Sequence, residues 1–157
     1  PDVALMADIV ARVRLPGRVQ RLSQEPVVFV DGAINAESAA HFWHSVSNAS
    51  PSPRVLVTAL PEDKDYRGLL DQLGAHADQV IITQAGAHLR YNGAVIDYAR
   101  QHHPCVQQQN DVMAAFQNGL DAATASGTLW VVGTQSLVRE ALRFWDQDLS
   151  ALILSAD

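Results

Sequence analysis

Short apolar runs without alternation punctuate this chain, and stretches of helical spacing separate them. Val27–Asp31, Val55–Leu60, Val80–Thr83 and Leu129–Gly133 are rich in β-branched residues and carry no polar residue at every second position. A strand covered on both faces reads this way, because both of its sides must be apolar. Between the runs, Ala36–Val46 sets Ala39, Ala40, Trp43 and Val46 on one helical face. Glu37 falls in its first turn, where the helix dipole favours an anion. Tyr66–Leu73 aligns Leu69, Leu70 and Leu73 on one stripe. Asn92–Arg100 and Asp111–Ala123 follow the same spacing, with Asn110 and Asp111 as candidate N-caps. Gln135–Trp145 closes the series with Leu137, Val138, Ala141, Leu142 and Trp145.

Strands that alternate with helices of this length form βαβ units. The expected fold is therefore α/β: a Rossmann-like, mostly parallel sheet of about six strands flanked by helices. Val106–Gln108 is a weaker strand that joins the sheet, and Arg18–Leu22 reads as an antiparallel edge strand. Val3–Arg14 reads as a helix ended by Leu15–Gly17. The loop Asn48–Pro53 carries the best linker signal, but it is too short to divide domains. The whole of residues 1–157 is expected to be one domain, with 18–157 as its α/β body.

Composition narrows the partners. With 48% hydrophobic and 18% charged residues, the chain is too apolar to be disordered and long enough to bury a core. Its longest apolar run falls short of the ~20 residues that span a bilayer, and no basic leader precedes an apolar stretch. No membrane partner is expected, and the cytoplasm is the expected compartment. A net charge of −6 with scattered arginines argues against nucleic acid. The single cysteine, Cys105, excludes an internal disulfide and fits a reducing compartment. Beside Pro104 at a strand start, it is expected as a small buried apolar residue. Pro1 in place of an initiator methionine suggests a piece of a longer chain.

The histidines do not assemble a metal site. His41 and His44 are neighbours on one helix but lack further ligands at metal spacing, so they read as exposed or half-buried helix positions. His102 and His103 suit a helix C-terminus, and His76 and His88 stand alone in loops. No nucleotide-binding glycine motif is present, neither a P-loop nor G-x-G-x-x-G after a strand, and no nucleophile elbow.

Ligands of an open parallel sheet bind beyond the carboxyl ends of its strands. That rule nominates the turns Asp31–Asn35, Leu60–Asp65, Thr83–Gly86 and Gly133–Ser136. At the first, Gly32 permits a tight turn, Asn35 can cap the following helix, and Asp31 holds a carboxylate at the mouth of the sheet. Glu62 and Asp63 in the second are as well explained as solvated loop charges. Gly133-Thr134 could hold an anion at a helix N-terminus or simply cap it.

Leu15–Arg18, Val28–Asn35, Asp63–Asp65 and Val132–Thr134, in this order and at these intervals, resemble the C-terminal domain of folylpolyglutamate synthase and dihydrofolate synthase, of the Mur ligase superfamily. The resemblance runs over about the whole chain. It implies an enzyme that joins glutamate to a folate-type carboxylate with ATP, through an acyl phosphate. It implies Arg18 reaching toward phosphates, Asp31 facing the cleft where nucleotide and glutamate meet, and Lys64 as the lysine of the family's D-K-D turn. Asn35 matches the asparagine of the D-G-A-H-N motif, and Thr134 stands where the family usually has serine. Asp31 and Lys64 are thus the expected catalytic residues, and Arg18, Asn35 and Thr134 the expected nucleotide-side residues. Ile34 replaces the motif histidine and can neither donate a hydrogen bond nor carry charge. Ala36 replaces the proline that usually follows the motif. The family's P-loop, magnesium ligands and most folate contacts lie in an N-terminal ATPase domain and central region outside this sequence. ATP and Mg2+ are therefore expected to be bound mainly by that partner domain and not by this one alone. Val3–Arg14 becomes the interdomain segment, and a ligase-like domain that has lost catalysis and serves in binding or regulation is the alternative.

Overall fold

The computed structural model describes residues 17–89, 91 and 93–146. The expected helix Val3–Arg14, the residues Leu15 and Pro16, and the expected helix start Asn92 lie outside the described residues. Six strands form one sheet: β1 (Gln20–Gln24), β2 (Val27–Asp31), β3 (Arg54–Thr58), β4 (Gln79–Ile82), β5 (Val106–Gln108) and β6 (Thr128–Val132). Among the described residues five α-helices accompany them: α1 (Ala36–Val46), α2 (Tyr66–Gly74), α3 (Gly93–His102), α4 (Val112–Ala123) and α5 (Gln135–Phe144). The strand order is β1-β2-β6-β3-β4-β5. Every neighbouring pair is parallel except β1–β2, whose antiparallel pairing carries an irregularity between Arg21 and Ser23. The expected fold class is what the structure shows.

The apolar runs behave as their composition requires. All five residues of β2 and of β6 are buried, because helices cover both faces of the sheet. One face packs Phe29, Leu56, Val80 and Trp130 against α1, α2 and α3. The other packs Val28, Val57, Ile81 and Val131 against α4 and α5. Trp130 is fully buried in the first layer, edge-on to Phe42 and Trp43, and its indole N–H reaches Ser50 Oγ at 3.1 Å. That bond meets the requirement that a buried donor find a partner.

Several expectations shift. Strands β3, β4 and β6 each begin one residue earlier than the apolar runs, since Arg54, Gln79 and Thr128 already pair with neighbours. Arg18 precedes β1 and sits in a turn, so the edge strand starts at Gln20. On α1 the buried face is Ala39, Phe42 and Val46, with Ala40 and Trp43 only half-buried; both Phe42 and Trp43 meet Trp130, and Trp43 also stacks with His76. Asp111, and not Asn110, caps α4, accepting the Ala114 N–H at 2.7 Å. Cys105 is exposed rather than buried: it leads into β5, an edge strand with a neighbour, β4, on one side only among the described residues, and its carbonyl accepts the Val80 N–H of β4 at 2.9 Å. His76 does not stand alone but stacks on Trp43 at 4.0 Å between ring centres, with the Arg54 guanidinium over the same indole. His41 and His44 are exposed, as expected.

Candidate functional site

The strand order itself creates a crevice. After β2 the chain leaves to α1 on one face of the sheet, and after the adjacent β6 it leaves to α5 on the other. Connections that part in this way open a gap beyond the carboxyl ends of the two strands, where open α/β sheets bind ligands. A cleft of about 570 Å³ lies there. Its walls come from the Gly17–Val19 turn (Arg18), the β2–α1 turn (Gly32, Ile34, Asn35, Ser38), the β3–α2 loop (Lys64), the β4–α3 loop (Leu89) and the start of α5 (Thr134, Gln135, Ser136). Arg18, Asn35, Lys64 and Thr134 are thus brought together. Asp31 is 4% exposed and sits behind this surface, outside the lining.

Hydrogen bonds within the β2–α1 turn fix its shape. Asn35 Oδ1 accepts the Ser38 N–H at 2.8 Å and Ser38 Oγ accepts the Asn35 N–H at 3.3 Å, so a reciprocal cap starts α1, and the same Oγ accepts the Ile34 N–H at 3.1 Å. Asp31 closes the strand from within: its backbone carbonyl accepts the Gly133 N–H at 3.1 Å, which joins the ends of β2 and β6. Its carboxylate Oδ2 accepts the Val19 N–H at 2.8 Å. Burial pushes the Asp31 carboxyl above the usual aspartate range, while the N–H groups of Val19 and Ala33 and the charge of Arg18 act in the opposite sense. Gly32 lies close to the start of α5: a Cβ there would lie 2.5 Å from Gln135 Nε2, so a side chain at this position would displace the end of Gln135.

Lys64 is presented by a turn that Asp65 holds. Asp65 caps α2 by accepting the Gly68 N–H at 3.0 Å, and its other oxygen accepts the Ala36 N–H at 3.0 Å. One carboxylate thereby ties the first turns of α1 and α2 together, just beneath Lys64. The ammonium pairs with Asp63 at 3.7 Å and remains 38% exposed.

The far wall is the start of α5. Thr134 Oγ1 accepts the Leu137 N–H at 3.4 Å and caps the helix. Gln135 and Ser136 line the cleft, and their N–H groups find no partner among the described residues. The β4–α3 loop is laid against them: Gly86, at φ 91°, comes so close that a Cβ would sit 2.7 Å from Ser136 Oγ. The Tyr91 hydroxyl fastens this loop, donating to Ala85 O at 2.6 Å and accepting the Ala85 N–H at 3.2 Å. Burial pushes the Tyr91 phenol above its ordinary pKa. The sequence singles out neither Leu89, Tyr91 nor Ser38; an apolar loop residue and a support behind the wall carry no motif. Ser136 lies in a nominated turn, although no role falls to it from the sequence.

Among the described residues the charges of the lining are of one sign: Arg18 and Lys64 are its only ionised side chains, and the N–H groups of Gln135 and Ser136 at the start of α5 add the positive end of a helix dipole. Such a wall suits phosphate or carboxylate oxygens. Glu62 and Asp63 stay exposed and outside the lining. Among the described residues no group of three or more His, Cys, Asp or Glu gathers to hold a metal ion, and no helix is long and apolar enough to cross a membrane.

Fold and cleft together define an open α/β fold with a cationic cleft at its strand switch point. Residues 17–135 match the family described as Mur ligase, glutamate ligase domain, and the chain belongs to that family. Its fold is that of Mycobacterium tuberculosis folylpolyglutamate synthase complexed with ADP and AMPPCP, with a TM-score of 0.76, 21% identity, and coverage of 88% of this chain and 34% of that one. E. coli FolC in complex with DHPP and ADP superposes with a TM-score of 0.72 at 24% identity over 87% of this chain and 33% of that one. The Yersinia pestis bifunctional folylpolyglutamate synthase/dihydrofolate synthase complexed with AMPPNP and Mn ion gives 0.68 at 21% identity, over 84% and 32%. The chain therefore spans about a third of the length of these solved structures. No curated protein sequence matches the chain significantly.

Proposed function

We propose that this chain is the C-terminal, amino-acid-side domain of a cytoplasmic ATP-dependent ligase that adds glutamate to a folate-type carboxylate through an acyl phosphate. The observation that carries the reading is the cleft at the β2–β6 switch point, where Arg18, Lys64 and the first N–H groups of α5 converge with no carboxylate among the described residues of the lining. The family match and the nucleotides in the solved relatives support it.

On this reading an N-terminal ATPase domain is the partner, residues 1–15 are the interdomain segment, and ATP and Mg2+ are held mainly by that partner. The lining of this domain fits phosphate oxygens and offers no carboxylate cluster for a divalent cation among the described residues. Arg18 meets the phosphates and offsets the charge that develops as the acyl phosphate forms and as phosphate leaves. Lys64 and the α5 N-terminus receive the carboxylates of glutamate, which orients its amine toward the acyl carbon. Attack forms the amide C–N bond, breaks the C–O bond to phosphate, and releases inorganic phosphate and a proton. Asn35 and Thr134 contribute by holding the two turns, with Asn35 Nδ2 left to face the nucleotide.

Steady-state kinetics on the complete enzyme separates these roles. Arg18→Ala should lower kcat/KM for ATP, and Lys64→Ala should raise KM for glutamate, each by roughly 10–100-fold. Unchanged constants in both variants would remove the cleft from the reaction. Ile34 favours a second reading, a ligase-like domain that binds or regulates without catalysing. It lines the cleft where a hydrogen-bonding histidine would serve the reaction, and it brings only apolar surface.

A further inference from the structure

Two consecutive residues at the end of β2 grip the turn that carries Arg18. Asp31 Oδ2 accepts the Val19 N–H at 2.8 Å, and Gly32 donates its own N–H to Gly17 O at 2.9 Å. Arg18 lies between these two anchored positions and is exposed at the rim of the cleft. The turn is not one that its sequence adopts unaided. Val19 has φ 45°, a left-handed conformation that crowds a β-branched side chain. Gly17 is also left-handed, at φ 71°, and packs so tightly on Val138 that a Cβ would collide with its methyl group. A valine stays in such a conformation only where its surroundings over-determine it. The buried carboxylate is the partner that its N–H has found.

We propose that Asp31 is a positioning residue for Arg18: by holding the Val19 N–H it locks the Gly17–Val19 turn and aims the guanidinium at an anion in the cleft. The proposal rests on the reading of the cleft as an anion site. It explains why a carboxylate is buried 4% exposed at the strand end and not displayed on the lining. It also explains the acceptor chemistry of the position, since any side chain with an oxygen there could receive the same N–H.

The isotope-labelled 157-residue chain tests both halves of the claim. Hydrogen exchange at the Val19 amide reads the tether, and titration with inorganic pyrophosphate, followed at the backbone amide signals of the cleft residues Gly32 and Ser136, reads its consequence. Asp31→Asn keeps an acceptor and should leave both within about twofold of the wild type. Asp31→Leu should speed Val19 exchange and weaken pyrophosphate binding by about tenfold. Val19→Gly added to Asp31→Leu should restore most of the affinity, because glycine enters the left-handed region without help. Val19→Pro removes the N–H and the left-handed φ with Asp31 intact, and should reproduce the tenfold loss even if Asp31→Leu does not fold. Wild-type affinity in either Asp31→Leu or Val19→Pro, or no recovery with Val19→Gly, overturns the proposal. Arg18→Ala distinguishes the two levels of failure. If it leaves pyrophosphate affinity unchanged, the anion-site reading falls, whereas Val19 exchange in Asp31→Leu still judges the tether.

Discussion

Asp65 accepts the backbone N–H of Ala36 at 3.0 Å across 29 positions of sequence, while the same carboxylate caps its own helix through Gly68. The start of α1 and the start of α2 thus share one anion, and the cleft turns that precede them are held at a fixed separation. Asp65→Ala should cost about 1–3 kcal/mol, since two helix-end donors lose their partner. At roughly 2–4 °C per kcal/mol for a chain of this size, thermal unfolding resolves the change. Asp65→Asn keeps an acceptor for one of the donors and should lose less. Equal stability of Asp65→Ala and wild type would show that the shared cap contributes nothing.

Asp31 gives a pH signature with a definite sign. Burial raises its folded-state pKa above the unfolded value. A carboxyl of that kind binds its proton more tightly in the native state, so its contribution to stability is present in acid and is lost as pH rises through the folded pKa. Asp31→Asn removes the titration and keeps an acceptor for Val19. Its stability relative to wild type should therefore rise between pH 3 and pH 7, as measured by urea unfolding across that range. A relative stability that falls with rising pH would mean that hydrogen bonds to the carboxylate outweigh its desolvation.

Tyr91→Phe should loosen the Leu89 wall without disturbing the sheet. The buried Ala85 loses an acceptor and a donor at once, at a cost of about 1–2 kcal/mol. Amide exchange at Ala85 should accelerate while that of Val57 and Val131 in the core strands stays slow. Uniform acceleration would assign Tyr91 a global and not a local role.

Ile34→His decides between the two functional readings. Placed on the cleft lining, a histidine restores hydrogen bonding at a position that is now apolar. If the missing imidazole limits the reaction, ligase turnover should rise by roughly tenfold or more. A fully active parent enzyme with no gain in the variant would show that this domain works without that group.

The architecture was legible because it depends on burial. β2 and β6 are covered on both faces, and an unbroken apolar run is what such strands require. The turns that hold Arg18, Asn35, Lys64 and Thr134 follow from the rule that parallel sheets bind ligands at their carboxyl ends, together with the short motifs at those turns. Finer features were not legible. Helical spacing gives Ala39, Phe42 and Trp43 similar claims to the core of α1, and only the tertiary packing, in which both rings meet Trp130 on a distant strand, leaves Phe42 buried and Trp43 half-buried. Cys105 reads as buried until the strand order places β5 at an edge. The left-handed Val19 runs against the preference of its own side chain, and the contacts that hold its turn come from Asp31 and Gly32, a dozen or more residues away in sequence. Whether Asp31 faces the ligand or stands behind the surface likewise depends on that contact.

If the cleft serves a reaction in which ATP, an acceptor carboxylate and an amino acid meet, ADP release by the complete enzyme measures it directly. With a pteroate acceptor and ATP present, addition of L-glutamate should start sustained ADP release in step with amide formation, and omission of either the acceptor or glutamate should stop sustained release. ADP release that is absent, or indifferent to glutamate, with nucleotide binding demonstrated in the same preparation, would contradict the assignment of this domain to the amino-acid side of an active ligase.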